Sequence, residues 1–172
     1  MYIILNQNKE TIAYIQNMMI LDIQQEKVMG ILIGDCFFGR NKKVVSTGFP
    51  NLDNHLDGGV HEGLYVIGAI SSLGKTTFMI QIADYISSQG QDVLYISLEM
   101  SKYEIMAKSI SRHTLLLFDG QESNLAKTTR GITVGSNYDH YIDLEIDAIN
   151  EAIKEYKNQS KNLWIIHYPA YL

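Results

Sequence analysis

Residues 68–77 read GAISSLGKTT and combine residue types that bind phosphate groups. Gly74 lets the backbone pass close to a phosphate, because no Cβ stands in the way. Lys75 can reach the β- and γ-phosphates of a nucleotide, and Thr76 offers a hydroxyl to Mg²⁺. The backbone N–H groups of such a loop and of a following helix start can together hold an anion. The stretch therefore predicts a phosphate-binding loop.

The match to the pattern G-x-x-x-x-G-K-[ST] is imperfect, because its first position falls on Ala69 and Gly68 comes one residue early. The flanking sequence supports the prediction: LYVIGAI before it predicts a buried strand over 64–70. TTFMIQIADYISSQ after it predicts a helix over 76–89, which Gly90 would end. The alternative, a plain turn between a strand and a helix, leaves Gly-Lys-Thr-Thr at that junction as coincidence. The predicted nucleotide-binding residues are Ala69, Ser71, Ser72, Leu73, Gly74, Lys75, Thr76 and Thr77, with Thr76 also the metal ligand.

Glu99 is the second candidate for chemistry, at the end of the predicted buried strand DVLYISLEM over 92–100. Ligands of open parallel sheets lie outside the carboxyl ends of the strands. A carboxylate there can orient and polarise an attacking water, as phosphoryl transfer to water requires. On spacing alone, a solvated glutamate at a strand end is an equal alternative.

The remaining segments predict an α/β fold. A helix is predicted over 101–114, SKYEIMAKSISRHT, which opens with a capping-box pattern. Helical spacing predicts another helix over 143–157, DLEIDAINEAIKEYK. A third buried strand is predicted over 163–170, LWIIHYPA. This alternation predicts a parallel sheet with helices on both faces. The other predictions are arm or linker helices over 10–33, a short helix near 50–56 that Gly58-Gly59 would end, and loop or short helical pieces over 118–138.

Composition excludes several classes of protein. The chain has 172 residues, a net charge of −5 and no basic surface signature, which argues against a stand-alone nucleic-acid binder. Its single cysteine, Cys36, permits no intrachain disulfide and fits a reducing cytosol, so a cytoplasmic protein is expected. No apolar stretch reaches the roughly 18 residues of a membrane span, and the start of the chain does not have the pattern of a signal peptide.

Two further groups of residues were weighed for binding. His113 and His167 have no spacing that suggests a metal site, so core or surface histidines are the better interpretation. Residues 127–130, KTTR, form a basic turn that could contact the phosphate of DNA or of a nucleotide, or could simply be solvated.

The motifs together resemble the ATPase domain of DnaB-type replicative DNA helicases, which are RecA-like P-loop ATPases. The resemblance covers residues 46–114 through TGFPNLDNHLDGG, LYVIGAISSLGKTTFMIQIA and DVLYISLEMSKYEIMAKSISR. It implies a RecA-like fold over 46–172 after an arm over 1–45, and it accommodates alanine at the first position of the phosphate loop (Walker A). By this resemblance Lys75 and Thr76 have the Walker A roles with ATP and Mg²⁺, and Glu99 activates water. The family acts as a hexameric ring around single-stranded DNA.

Some features of the family are not recognised in this sequence. The Walker B strand should end in Asp, but LWIIHYPA has His167 there, so it is interpreted as the strand before Walker B or as a degenerate version. Histidine is a poor Mg²⁺ ligand. The chain is therefore expected to be a piece of the ATPase that binds nucleotide with little or no hydrolysis. A RecA-like ATPase of recombinase or switch type, or a non-catalytic interaction module, remains an alternative.

Overall fold

The computed structural model describes the backbone of residues 2–5 and, in full, residues 44–118 and 125–168. The described residues form two compact units. The larger unit contains residues 2–5 and the described residues from Thr76 onwards, and the smaller unit contains residues 44–75.

A three-stranded sheet lies at the centre of the larger unit. Its strands are β1 (Tyr2–Leu5), β2 (Val93–Ser97) and β3 (Leu163–His167), in the order β1-β2-β3. β1 runs antiparallel to β2, whereas β2 and β3 are parallel, with Val93 opposite Leu163. Every residue of β2 is buried, as expected for a central strand that reads as a continuous apolar run.

Helices connect and cover these strands. In chain order they are α1 (Pro50–His55), α2 (Lys75–Ser88), α3 (Lys102–Leu117), α4 (Thr129–Thr133), a 3₁₀ helix (Gly135–His140) and α5 (Asp143–Gln159). The predicted helices over 76–89, 101–114 and 143–157 are thus confirmed, as are the parallel strands within 92–100 and 163–170. The prediction that the last strand is buried is wrong, because every residue of β3 is half-buried. The prediction of loop or short helical pieces is confirmed for the described residues of 118–138.

Local sequence signals fix the ends of two helices. Gly90, with φ +77°, ends α2: its N–H donates to the Ser87 carbonyl at 2.9 Å, and the Gln91 N–H donates to the Ile86 carbonyl at 3.3 Å. These two bonds are the Schellman pattern that a glycine in the left-handed region allows. At the start of α3, Ser101 and Glu104 form the predicted capping box.

The core of the larger unit is built from the apolar faces of these elements. Ile110 of α3 packs with Ala152 and Tyr156 of α5, and half-buried apolar side chains surround this cluster. Deeper positions include Ile86 of α2 and Ile149 of α5, each about 1% exposed. The cluster holds α3 against α5 and so fixes the helix that follows Glu99.

The smaller unit begins with an antiparallel bridge between Val45 and Val60. α1 begins at Pro50, and the chain then turns through Asp57, Gly58 and Gly59, which all have positive φ. The first left-handed residue after the helix is therefore Asp57, one residue before the predicted Gly58-Gly59. Gly59 has φ +143°, and a Cβ there would lie 2.3 Å from the Val45 carbonyl oxygen. The bridge therefore requires glycine at this position.

The prediction of a buried strand over 64–70 is wrong for this structure. These residues form no strand and are exposed, with Leu64 at 81% and Val66 at 84%. A strand is stable when its N–H and C=O groups are paired. Among the described residues, none forms a backbone–backbone hydrogen bond with 64–69. The apolar residues of 64–70 favour burial, but a strand also needs a neighbouring strand to pair with, and composition does not show whether one is present.

The sheet also differs from the predicted one at its start. Because β1 is antiparallel, the sheet is mixed, and β1 lies inside the segment 1–45 that was predicted as a helical arm. The predicted helices over 10–33 and the interpretation of Cys36 fall outside the described residues. The domain boundary between 45 and 46 stays a prediction. No helix in the described part of the chain has the length and apolar character that crossing a bilayer requires.

Candidate functional site

The phosphate-binding sequence forms an exposed loop that leads directly into α2. Residues 71–74 turn, and Ser72 and Gly74 have φ +65° and +96°. Such angles lie in the left-handed region, which glycine adopts readily and other residues rarely. A Cβ on Gly74 would meet nothing within 4 Å, so the requirement for glycine is one of backbone conformation and not of space.

Most backbone amides of this loop have no acceptor among the residues that the structure describes. Leu73 donates to the Ile70 carbonyl at 3.3 Å, but no described residue accepts from the amides of Ser71, Ser72 or Gly74. The first amides of any α-helix lack an intrahelical acceptor, so those of Lys75 and Thr76 are unsatisfied as well. The loop therefore offers a set of N–H donors that an anion can accept.

The Lys75 side chain folds back over this loop. Its Nζ donates a hydrogen bond to the carbonyl of Ala69 at 3.1 Å. Ala69 is the first residue of the predicted motif, so the ammonium group lies over the same turn whose amides are unsatisfied. A phosphate oxygen could replace the carbonyl as its acceptor.

Thr76 and Thr77 follow in the first turn of α2. Thr76 is half-buried, and its hydroxyl makes no hydrogen bond to another described residue. A hydroxyl oxygen fits the preference of Mg²⁺ for hard ligands. The described residues contain no cluster of three or more His, Cys, Asp or Glu side chains that could hold a metal alone.

Glu99 lies on the larger unit, two residues beyond the end of β2. It is exposed, in the bend between β2 and the Ser101 cap of α3. The hydroxyl of Ser97 shapes this bend, since it donates to the Met100 carbonyl at 2.7 Å and accepts from the Met100 N–H. Glu99 is thus at the carboxyl end of a parallel strand, where the sequence analysis placed it.

Comparison with models of known protein families shows which family the chain belongs to. The model of the DnaB-like helicase C terminal domain matches residues 44–168, which is most of the chain. The chain belongs to the DnaB-like helicase C-terminal domain family. The predicted resemblance is therefore confirmed, and the RecA-like fold follows from it.

Individual relatives support the same assignment. The chain is 28% identical over 131 residues to the replicative DNA helicase DnaB of Helicobacter pylori, covering 70% of this chain and 27% of that protein. It is 32% identical over 108 residues to a probable replicative DNA helicase of Guillardia theta, covering 59% and 18%. It is 37% identical over 87 residues to the DNA repair protein RadA of Aquifex aeolicus, covering 48% and 19%.

The chain thus spans about a quarter or less of the length of these curated relatives. No solved structure matches it.

A carboxylate organises the TGFPNLD segment of this DnaB-like domain, a role that sequence reasoning missed. Asp53 accepts hydrogen bonds from the hydroxyls of Ser46 and Thr47, both at 2.6 Å, and from the Thr47 N–H at 2.8 Å. Thr47 is only 1% exposed. Burial alone would raise the pKa of Asp53, but the hydrogen bonds outweigh it and lower the pKa from its ordinary value. The signal was the Ser-Thr pair six and seven residues before an aspartate that faces back from α1.

A buried ion pair joins the two motif-bearing helices of the larger unit. Arg112 of α3 donates from Nη2 to Asp84 of α2 at 2.9 Å, and the Ser109 hydroxyl donates to the same oxygen at 2.7 Å. Asp84 is 2% exposed, and burial raises its pKa even though Ser109 and Arg112 oppose that effect. Burial also raises the pKa of nearby Tyr156 to about 12 and lowers that of His113. The pair engages the guanidinium of Arg112 through Nη2.

We predict that Asp53→Ala lowers the free energy of unfolding at pH 7 by roughly 1–3 kcal/mol, because the buried Thr47 amide and hydroxyl lose their acceptor. The lowered pKa means that the contribution of Asp53 is present above its ordinary value of 3.8 and is lost as the pH falls through the folded-state value. Urea unfolding at pH 7 and at about pH 2–3 would measure both effects.

The matched control is Glu62→Ala, in the same unit, since Glu62 is exposed and has no ion pair or hydrogen bond to the described residues. The gap between wild type and Asp53→Ala should shrink in acid, while Glu62→Ala follows wild type. A gap that is independent of pH, or equal losses in both variants, would contradict the role of the Asp53 carboxylate.

Proposed function

We propose that this chain is the ATP-binding part of a helicase motor, and that residues 68–77 bind the phosphate groups of ATP together with Mg²⁺. The observation that carries the proposal is the loop itself. It is exposed, Gly74 within it has φ +96°, and most of its amides have no acceptor in the described part of the chain. Membership of the DnaB-like helicase C-terminal domain family supports the same conclusion.

Each residue of the loop has a distinct part in this proposal. The amides of the turn and of the first helical turn donate to phosphate oxygens, which the positive end of the helix dipole also stabilises. Lys75 exchanges the Ala69 carbonyl for a phosphate oxygen. Thr76 completes the site as a ligand to Mg²⁺, the ion that neutralises charge during phosphoryl transfer.

Glu99 is proposed as the residue that orients and deprotonates the attacking water. Its exposed carboxylate at the carboxyl end of a parallel strand supports this role, because ligands of such sheets lie outside that end. In this proposal ATP hydrolysis drives movement along single-stranded DNA in a ring of several copies, and nucleotide binding by the single chain is the step that can be tested on its own.

A motor of the recombination and repair type is the second candidate. The match to the DNA repair protein RadA of Aquifex aeolicus has a higher identity, 37%, than the match to the Helicobacter pylori helicase, 28%, but it covers less of the chain. The two candidates share the phosphate loop and Glu99, so they agree on nucleotide binding. The family-model match over residues 44–168 favours the helicase.

We expect Mg²⁺–ATP to raise the melting temperature of the wild-type chain. A ligand at one hundred times its dissociation constant adds about 2.7 kcal/mol to the free energy of unfolding. Lys75→Ala should remove most of this gain, because it deletes the ammonium group that binds the phosphates. Thermal unfolding monitored across a titration of ATP, with and without Mg²⁺, measures the effect.

The control variant is Lys161→Ala. The Lys161 side chain is exposed and makes no hydrogen bond or ion pair to the described residues. It should respond to ATP as wild type does. Equal responses of wild type and Lys75→Ala would refute the proposed site.

Gly74→Ala should weaken ATP binding by at least about tenfold, because alanine at φ +96° is strained and the loop must change conformation. Gly68→Ala is the matched control. Gly68 does not have φ in the left-handed region, and a Cβ there would meet nothing within 4 Å. Isothermal titration calorimetry gives both dissociation constants. If the two variants bind ATP equally well, the conformation of the loop at Gly74 is not what holds the phosphates.

A further inference from the structure

We propose that a second phosphate-binding site lies on the larger unit, in a cationic cleft formed by Lys108, Arg112 and Lys127. It adjoins the loop at 68–77, because Thr77 lines one edge of the cleft, but its cations come from α3 and from the chain before α4. The ligand would be an anion that has phosphate groups and is at least as large as a nucleotide.

The cleft lies between one face of α2, one face of α3 and the chain that leads into α4. Its volume is about 380 Å³, within the range of about 300–1,000 Å³ that is usual for small-ligand sites. Gln81 lines it from α2, Lys108 and Arg112 line it from α3, and Lys127 to Thr129 close the third side. Three elements therefore converge on one concave surface.

The charge of this surface is positive. Of the described residues that line the cleft, three are cations and none is acidic. The carboxylates that pair with two of them, Asp84 and Glu145, are not among those lining residues. In a chain with a net charge of −5, this concentration of positive charge is local.

Two of the cations are held in place by their partners. Arg112 donates to Asp84 at 2.9 Å, and its side chain is 23% exposed. Lys127 donates to Glu145 at 2.5 Å, and its side chain is 10% exposed. A surface lysine must lose rotamer freedom to bind a ligand, whereas these side chains are already ordered. The cleft is therefore preorganised, unlike an ordinary solvated basic turn.

Lys108 makes no ion pair with the described residues, since no acidic side chain among them lies within 4.0 Å of its Nζ. Glu104, one turn earlier on α3, accepts from the N–H and hydroxyl of Ser101 through one carboxylate oxygen. These hydrogen bonds lower the pKa of Glu104, and the charge of Lys108 contributes to that shift. Lys108 is therefore the cation of the cleft best able to bind a ligand directly.

Neutral donors complete the surface. The side chains of Gln81 and Thr129 make no hydrogen bond to another described residue. The Thr128 hydroxyl accepts from the Gly131 N–H at 3.1 Å, which leaves its own proton to donate. Beside the two paired cations, the Lys108 ammonium and these amide and hydroxyl donors match the several acceptor oxygens of a phosphate group.

Two kinds of molecule could supply phosphate groups to this cleft: the backbone of a single-stranded nucleic acid, and a mononucleotide. The test uses one probe for each: a fluorescein-labelled twelve-residue oligothymidylate, and ADP. Binding is measured in the Lys75→Ala background, which removes the predicted contribution of the loop. Because the loop is already disabled in this background, a failure of the cleft proposal can be distinguished from a failure of the loop proposal.

Lys108→Gln should weaken binding of at least one probe by about three- to tenfold, the effect of losing one charged hydrogen bond near solvent. For the oligonucleotide, the slope of log K against log salt should fall in magnitude by about 0.7, the contribution of one phosphate contact to a single strand. The matched control, Lys102→Gln, removes an exposed lysine at the start of the same helix but outside the cleft. It should bind both probes as the parent does.

Gln81→Glu provides a second test, because it places a negative charge inside the cleft. It should reduce binding more than Gln89→Glu, which lies exposed just after α2. Circular dichroism checks that each variant folds. If Lys108→Gln does not fold, Gln81→Glu tests the proposal by the same criteria.

Loss of oligonucleotide binding alone identifies a nucleic-acid backbone as the ligand, and loss of ADP binding alone identifies a mononucleotide. If neither probe binds the parent, or if the cleft variants match their controls, the proposal is overturned.

Discussion

The first amides of α2 have no hydrogen-bond acceptor among the described residues. A helix leaves its first N–H groups without intrahelical partners, and a side chain, water or a ligand can satisfy them. α3 does so with Ser101 and Glu104, and α4 does so with the hydroxyl of Thr128. At the start of α2, by contrast, no side chain of the described residues accepts from the amides of Lys75 or Thr76. An anion is the partner that these amides and the lysine beside them fit best.

The rest of the larger unit holds the other parts of α2 firmly. Its C-terminal end is closed by Gly90, its buried face packs through Ile82 and Ile86, and Asp84 ties it to Arg112 of α3. A buried ion pair adds little net stability, but removing one partner leaves an uncompensated charge, so the pair favours one arrangement of the two helices. The strand end that carries Glu99 leads directly into α3. The same contacts thus constrain α2 and the chain that follows Glu99.

The sequence predicted the features that local patterns decide, but only part of the strand pairing. The capping box at Ser101 and the stop at Gly90 follow from short patterns, and both are present. The parallel pairing of β2 with β3 is a long-range contact, and it follows from the alternation of strands and helices. The segment 64–70 reads as a strand by composition, but a strand also needs a neighbour, and composition does not show one. β1 was not predicted, because its four residues form too short a pattern to indicate a strand. The role of Asp53 depends on a fold-back from α1, which spacing alone did not reveal.

The central claim is that the amides between Gly74 and Thr77 bind phosphate, and their NMR resonances test it most directly. A titration of the ¹⁵N-labelled chain with ADP and Mg²⁺ follows each amide separately. Phosphate acceptance should shift the signals of Gly74, Lys75 and Thr76 downfield along one saturable curve, while the capped amide of Glu104 stays in place. If ADP saturates the protein and the signals of residues 71–77 do not move, the phosphates bind elsewhere and the account of this loop is wrong.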